Sequence, residues 1–133
     1  MRRVLLWFLL LVAAVVPTQA RDKRGNEGAK LHFEQESYDF GTISRKGEDM
    51  VCEFRFENSG SEPLVILSAQ TSCSCLKVDF SRKPIAPGEK GTVKLLIEVR
   101  KMEKGVFHRV VQIKSNSATG TEILTIKGNC EDN

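Results

Sequence analysis

The chain holds 133 residues, with 20 Lys and Arg against 17 Asp and Glu and a formal net charge of +3, and that length is room for one ordinary domain. The small basic surplus is not gathered on one element: Arg21, Lys23 and Arg24 form the only early cluster, in a Gly-containing stretch. A nucleic-acid binder concentrates Lys and Arg on one face, so no nucleic-acid partner is expected.

Arg2 and Arg3 open the chain with positive charge, Val4 to Val16 is an apolar run, and Pro17-Thr18-Gln19-Ala20 ends on a small residue. That order predicts a cleavable signal peptide over residues 1–20, shorter than the roughly 20 apolar residues of a membrane span. Once it is removed, Lys plus Arg falls from 20 to 18 against the same 17 acids, so the mature chain sits near +1. The protein is expected to be exported, periplasmic or secreted, with no membrane span after cleavage. No cysteine lies near the cut, which argues against a lipid anchor.

Residues 21–30 are polar and Gly-containing and read as a flexible leader, with the domain over 31–133. Cys52-Glu53-Phe54-Arg55-Phe56-Glu57 alternates apolar and charged residues without a fault, the period-2 signal of a half-buried strand. Asn58 to Pro63 supplies turn chemistry. Leu64 to Leu67 is continuously apolar, as a strand covered on both faces would be. Val93, Leu95, Ile97 and Val99 alternate next, then Val106 to Ile113, then Leu124 and Ile126. Pro84 to Glu89, Lys104-Gly105 and Ser115-Asn116-Ser117 punctuate them. No stretch of the mature chain holds a helical apolar period for three turns. Roughly seven short strands spaced by turns predict an all-β antiparallel sandwich.

Several pieces together resemble a family of exported bacterial proteins of unknown function with an immunoglobulin-like domain, common in Bacteroides-group bacteria. They are Asp39-Phe40-Gly41-Thr42-Ile43, the Phe54 to Gly60 strand and turn, and Pro63-Leu64-Val65-Ile66. Cys73-Ser74-Cys75, Pro84 to Glu89 and Ser115-Asn116 follow in the same order. The resemblance implies an immunoglobulin-like sandwich and no activity. The family's usual motif is Cys-Gly-Cys; here Ser74 takes the middle position, which would strain the turn if a positive φ were required there.

Four cysteines, Cys52, Cys73, Cys75 and Cys130, point first to disulfides in an exported chain. Cys73 with Cys75 is awkward on an extended strand, where i and i+2 stand about 6.5 Å apart, unless a tight turn at Ser74 draws them together. Counting antiparallel strands places all four cysteines at one end of the sandwich. A Cys52–Cys130 bridge is therefore the expected pairing, worth around 3–5 kcal/mol in the chain-entropy model. The alternatives are unpaired cysteines, or a chemical role: Cys73 and Cys75 as a soft-metal site for Cu(I) or Zn, or as a thiol-redox pair. Zinc loops space their ligands wider and no His is close; a Cys-x-x-Cys beside a βαβ unit is absent.

His32 and His108 are expected to face solvent, and no Gly-x-Ser-x-Gly elbow accompanies them. Glu53 and Glu57 read as a solvated face. Asp39 before Phe-Gly reads as a turn, and so does Gly88 to Thr92, which lacks the Gly-Lys-Ser/Thr of a phosphate loop. The expectation is a non-catalytic interaction or scaffolding module of the cell envelope with no cofactor. Its partner would be another envelope or secreted protein, met at a strand edge. The candidate edges are Leu31 to Ile43 and Thr121 to Asn129.

Overall fold

Alternation decides the strands. In Met50–Asn58 the side chains of Cys52, Phe54, Phe56 and Asn58 are buried while Val51, Glu53 and Arg55 are exposed, because successive side chains leave opposite faces of a pleated strand. The same logic runs through the computed structural model, which describes residues 28–132. The signal peptide expected over residues 1–20 and most of the expected leader lie outside the described residues. Residues 28–30, assigned above to the leader, are already part of the domain: Ala29 is buried, and the Gly28 carbonyl accepts from the Ser61 N–H at 2.8 Å.

Eight strands follow in order: β1 Leu31–Phe33, β2 Ser37–Ser44, β3 Met50–Asn58, β4 Ile66–Thr71, β5 Leu76–Asp79, β6 Lys90–Ile97, β7 Gly105–Ser115 and β8 Thr121–Glu131. They form two four-stranded sheets, ordered β1-β3-β6-β5 and β2-β8-β7-β4, whose inner faces make one apolar core. This is the expected immunoglobulin-like sandwich, with three corrections. The first segment is two strands rather than one, because Glu34-Gln35-Glu36 crosses between the sheets: Glu34 N–H donates to Arg55 of β3, and the Glu36 carbonyl accepts from Thr125 of β8. The crossing makes β2 run parallel to β8, the one parallel pair among antiparallel ladders. As a result β8 lies inside its sheet, so Thr121 to Asn129 is not an edge, whereas Leu31 to Ile43 supplies an edge to each sheet.

The apolar run Leu64 to Leu67 also differs from expectation. Leu64 and Ile66 are buried, but Leu67 is 52% exposed, because successive side chains alternate between the two faces and this run is covered on one face only. Between β6 and β7 a short 3-10 helix, Val99–Lys101, seats Val99 in the core.

Asn58 is the most consequential polar residue of the fold. It is fully buried, and its amide uses all its capacity. Oδ1 accepts from the N–H of Lys30 at 3.3 Å and of Gly60 at 3.0 Å, while Nδ2 donates to the carbonyls of Glu62 at 2.7 Å and Ile85 at 2.9 Å. Its backbone meets Gly88 and Glu89, beyond a turn with Pro87 second and Gly88 third at φ +81°. That pattern is the sequence signature of a type II turn. Asn58→Ala would remove a hydrogen bond from four backbone groups at once; the Ile85 carbonyl keeps its bond from the Leu64 N–H, and each group left buried and unpaired costs about 1–3 kcal/mol. Water reaching the partly exposed ones offsets some of this. Urea unfolding is expected to show a loss of about 3 kcal/mol or more; a change within about 0.5 kcal/mol, the usual surface range, would show that the hub is dispensable.

Candidate functional site

The registers place all four cysteines at one end of the sandwich. Cys52 opens β3, which meets the end of β6 and the start of β5 there; β7 starts at the same end, with Gly105 opposite Cys130. The pairing differs from the one expected. Cys73 and Cys75 are bonded to each other, and Cys52 and Cys130 remain thiols. Cys52 in β3 and Cys130 in β8 stand in facing sheets, and both are buried.

The bridge forms because the connection from β4 to β5 is a tight turn. The Leu76 N–H donates to the Cys73 carbonyl at 3.2 Å, which folds Cys73-Ser74-Cys75-Leu76 and brings the two Cα atoms to 5.2 Å. Among the described residues every positive φ belongs to glycine, so Ser74 sits in this turn without the strain anticipated for it. The Cys75 N–H also donates to Sγ of Cys73 at 3.3 Å. Closing so small a loop removes little denatured-state entropy, about 1.6 kcal/mol for three residues in the chain-entropy model. The bridge is therefore a weak staple. Bonded to each other, the two sulfurs offer no thiolate pair to a soft metal, and among the described residues no group of three or more His, Cys, Asp or Glu gathers.

Exposure across the bridge is unequal. Cys75 is completely buried and Cys73 only partly, and Ser74 is exposed. A hollow beside Cys73 and Ser74 is lined by Lys101, Glu103, His108 and Arg109. Below it Glu98 anchors the turn: its N–H donates to the Cys75 carbonyl at 2.8 Å, and its carboxylate pairs with Lys101 at 2.6 Å and Lys77 at 3.0 Å. The hydrogen bonds from Lys101 and then Lys77 hold the Glu98 carboxyl below its ordinary range, against the opposing effect of burial. The other two thiols behave differently. Burial pushes Cys52 up to about 11. Cys130 is also raised by burial, with Arg45 opposing and Asp132 adding to the rise. Both are protonated and inert at neutral pH.

The hollow opens into a groove between the edge strands β4 and β5, floored by Ala69, Leu76 and Val78; the two spaces share Ser72 and Val110. Sequence reasoning singled out the cysteines but missed this groove and the Glu98 cluster. Glu98 and Lys101 are an i,i+3 pair across the short helix, a spacing that sequence reasoning passed over, whereas Lys77 joins them only through the β5–β6 register. His32 and His108 are exposed, as expected, and stand in different sheets. Glu53 is exposed and pairs with Lys94 at 3.7 Å. The Asp39 carboxylate accepts from the Gly41 N–H at 2.8 Å, in a bulge where Gly41 takes φ +65°.

A family model described as a protein of unknown function, DUF1573, matches residues 31–130. The chain belongs to the DUF1573 family. No curated protein matches its sequence significantly. Among solved structures, a protein of unknown function from Porphyromonas gingivalis superposes with a TM-score of 0.69 at 18% identity, covering 78% of this chain and 48% of that one. The PapD-like domain 7 of human CEP192 gives 0.58 at 13% identity, over 78% and 87% of the two chains. The periplasmic chaperone SfaE gives 0.52 at 7%, over 77% and 57%. These likenesses carry the fold alone, and the chain spans about half the length of the Porphyromonas protein.

Two measurements follow from the site of this DUF1573 domain. Alkylation of the oxidised protein without reductant is expected to label nothing in the native state and to label Cys52 and Cys130 once guanidinium unfolds it; native labelling of either would contradict their burial. Glu98 has a depressed folded-state pKa, so its contribution is present above the ordinary carboxylate range and lost as pH falls through the folded value. Glu98→Gln is therefore expected to lower the Tm at pH 7, with the gap to wild type narrowing as pH drops below about 4. A gap independent of pH would remove Glu98 ionisation as its cause.

Proposed function

We propose that this DUF1573 domain is an exported, non-catalytic interaction module of the cell envelope, which binds an extended segment of another protein along the β4–β5 edge. The single observation carrying the reading is the combination found there. The strand β4, Ile-Leu-Ser-Ala-Gln-Thr, is an uncharged edge beside an apolar-floored groove. Edges left unpaired are usually blunted by charge, bulges or short length. On the opposite side β1 has three residues, and β2 is broken by the Gly41 bulge between Asp39 and Thr42. On the β4 side the register shifts only at the start of the strand, between Ile66 and Ser68, where Arg82 also donates to the Leu67 carbonyl at 2.8 Å; Ser68 to Thr71 pair regularly with β7.

An added strand would gain backbone hydrogen bonds with β4, each worth about 0.5–1.5 kcal/mol net, and would drop alternate side chains onto Ala69, Leu76 and Val78. The signal-like N-terminus supports export. The name of one structural neighbour, a periplasmic chaperone, is consistent with a role directed at other proteins.

The test is capture of envelope polypeptides by the tagged domain, combined with hydrogen exchange on the complex. Val78→Lys is expected to lose the captured polypeptides, and Val106→Lys, on the outer face at 88% exposure, to retain them. Exchange is expected to slow at β4 and β5 amides in the complex. Equal capture by both variants, or protection confined to β1 and β2, would reject this edge.

A further inference from the structure

We propose that the Cys73–Cys75 bridge is a thiol–disulfide exchange site, with Cys73 the attacked sulfur and cysteines of an extended polypeptide on the β4–β5 edge as substrate. The choice of an extended polypeptide rests on the strand-edge reading above; the exchange at Cys73 does not.

Access, electrostatics and placement point the same way. Exchange requires a thiolate to reach one sulfur of the bridge. Cys75 is completely buried, whereas Cys73 is partly open and borders the hollow. That hollow presents Lys101, His108 and Arg109 against one carboxylate, Glu103, though Lys101 is engaged by Glu98. Cationic surroundings draw in an attacking thiolate and favour Cys73 as a thiolate when it leaves. The Cys75 N–H, 3.3 Å from Sγ of Cys73, adds a hydrogen bond to the same charge. The two remaining thiols are removed from the chemistry by burial. Finally, the hollow shares Ser72 and Val110 with the β4–β5 groove, so a segment lying along the edge would carry its own side chains to the bridge.

The step balances without a further reagent. A client thiolate attacks Sγ of Cys73 and forms a mixed disulfide; the Cys73–Cys75 bond breaks, and its electron pair leaves on the Cys75 sulfur, which takes up a proton. A second thiolate of the same client attacks the client sulfur of the mixed disulfide, and Cys73 departs as thiolate. The client dithiol has been oxidised to a disulfide, and the Cys73–Cys75 pair reduced to two thiols. A client disulfide runs the same steps backwards and restores the bridge.

The probe for the chemistry is glutathione. In the folded wild-type protein, millimolar reduced glutathione is expected to open the bridge, so that Cys73 becomes alkylatable while buried Cys52, Cys75 and Cys130 stay unlabelled. A bridge that opens only in denaturant overturns the proposal, and this arm needs no substitution. Oxidised glutathione is expected to add one glutathione per chain to Cys73 in Cys75→Ala and none to Cys75 in folded Cys73→Ala. Equal modification of the two would overturn Cys73 as the attacked sulfur.

For the substrate, an extended peptide of alternating Val and Thr with two cysteines replaces glutathione at equal thiol concentration. It is expected to react severalfold faster with wild type, with the ratio of the two rates falling toward one in Val78→Lys. A ratio near one in wild type would overturn the extended polypeptide as substrate and leave exchange at Cys73 standing. Failure of the glutathione arms with strand capture intact would do the reverse.

Discussion

The sandwich depends most on one buried amide. Asn58 sits where β3 ends, and through four side-chain hydrogen bonds it fixes the start of β1, the turn after β3 and the loop before β6. A buried amide with every valence satisfied is stabilising and geometrically demanding, since losing any partner exposes the full desolvation cost. Asn116 acts similarly on the other sheet: Oδ1 accepts from Val65 N–H at 2.8 Å and Nδ2 donates to the Pro63 carbonyl at 3.0 Å. Both residues lie at the same end, where the Ala118 N–H also meets the Ala29 carbonyl. That end is closed by hydrogen bonds between loops.

The opposite end is built differently. It carries the four cysteines, the Glu98 cluster and the short helix Val99–Lys101. Its one covalent cross-link closes only three residues, so by the chain-entropy argument it adds little to stability. The core and the asparagine end carry the fold, which leaves the Cys73–Cys75 bond free to change state without unfolding the domain. A bridge between Cys52 and Cys130 would have had the opposite character, closing a long loop and becoming costly to open.

How much of this was legible in the sequence follows from the range of each interaction. The half-buried character of β3 could be read directly, because Phe54, Arg55 and Phe56 alternate within one strand. The turn at Pro87-Gly88 was equally plain. Strand order was not: β8 shows the same local alternation whether it lies at an edge or inside, and its parallel neighbour β2 arrives through the crossing at Glu34-Gln35-Glu36. Splitting of the first segment was hidden for the same reason. The Cys73–Cys75 pairing was only half visible. Spacing argued against it, and the Leu76-to-Cys73 turn that permits it is a backbone event without its own residue signature. The groove could not be read at all, because Ala69 and Val78 meet only after two sheets pack.

The position of the cysteine pair ties the two readings of the site together. The chain crosses between the sheets at Glu34-Gln35-Glu36 on the β1–β2 side and at Ser72 to Cys75 on the β4–β5 side. On the first side, β1 is too short and β2 too bulged to offer a continuous edge. On the second, the crossing is confined to one end, so β4 and β5 diverge from it with the groove between them. The disulfide therefore spans the short turn from which both groove walls start. Partly exposed Cys73 lines the hollow that continues into the groove, and the carbonyl of buried Cys75 accepts from the Glu98 N–H. The proposed recognition by strand edge and the proposed exchange at Cys73 thus share a single covalent element of the fold. An occupant long enough to cover β4 would extend to the bridge without any rearrangement of the core.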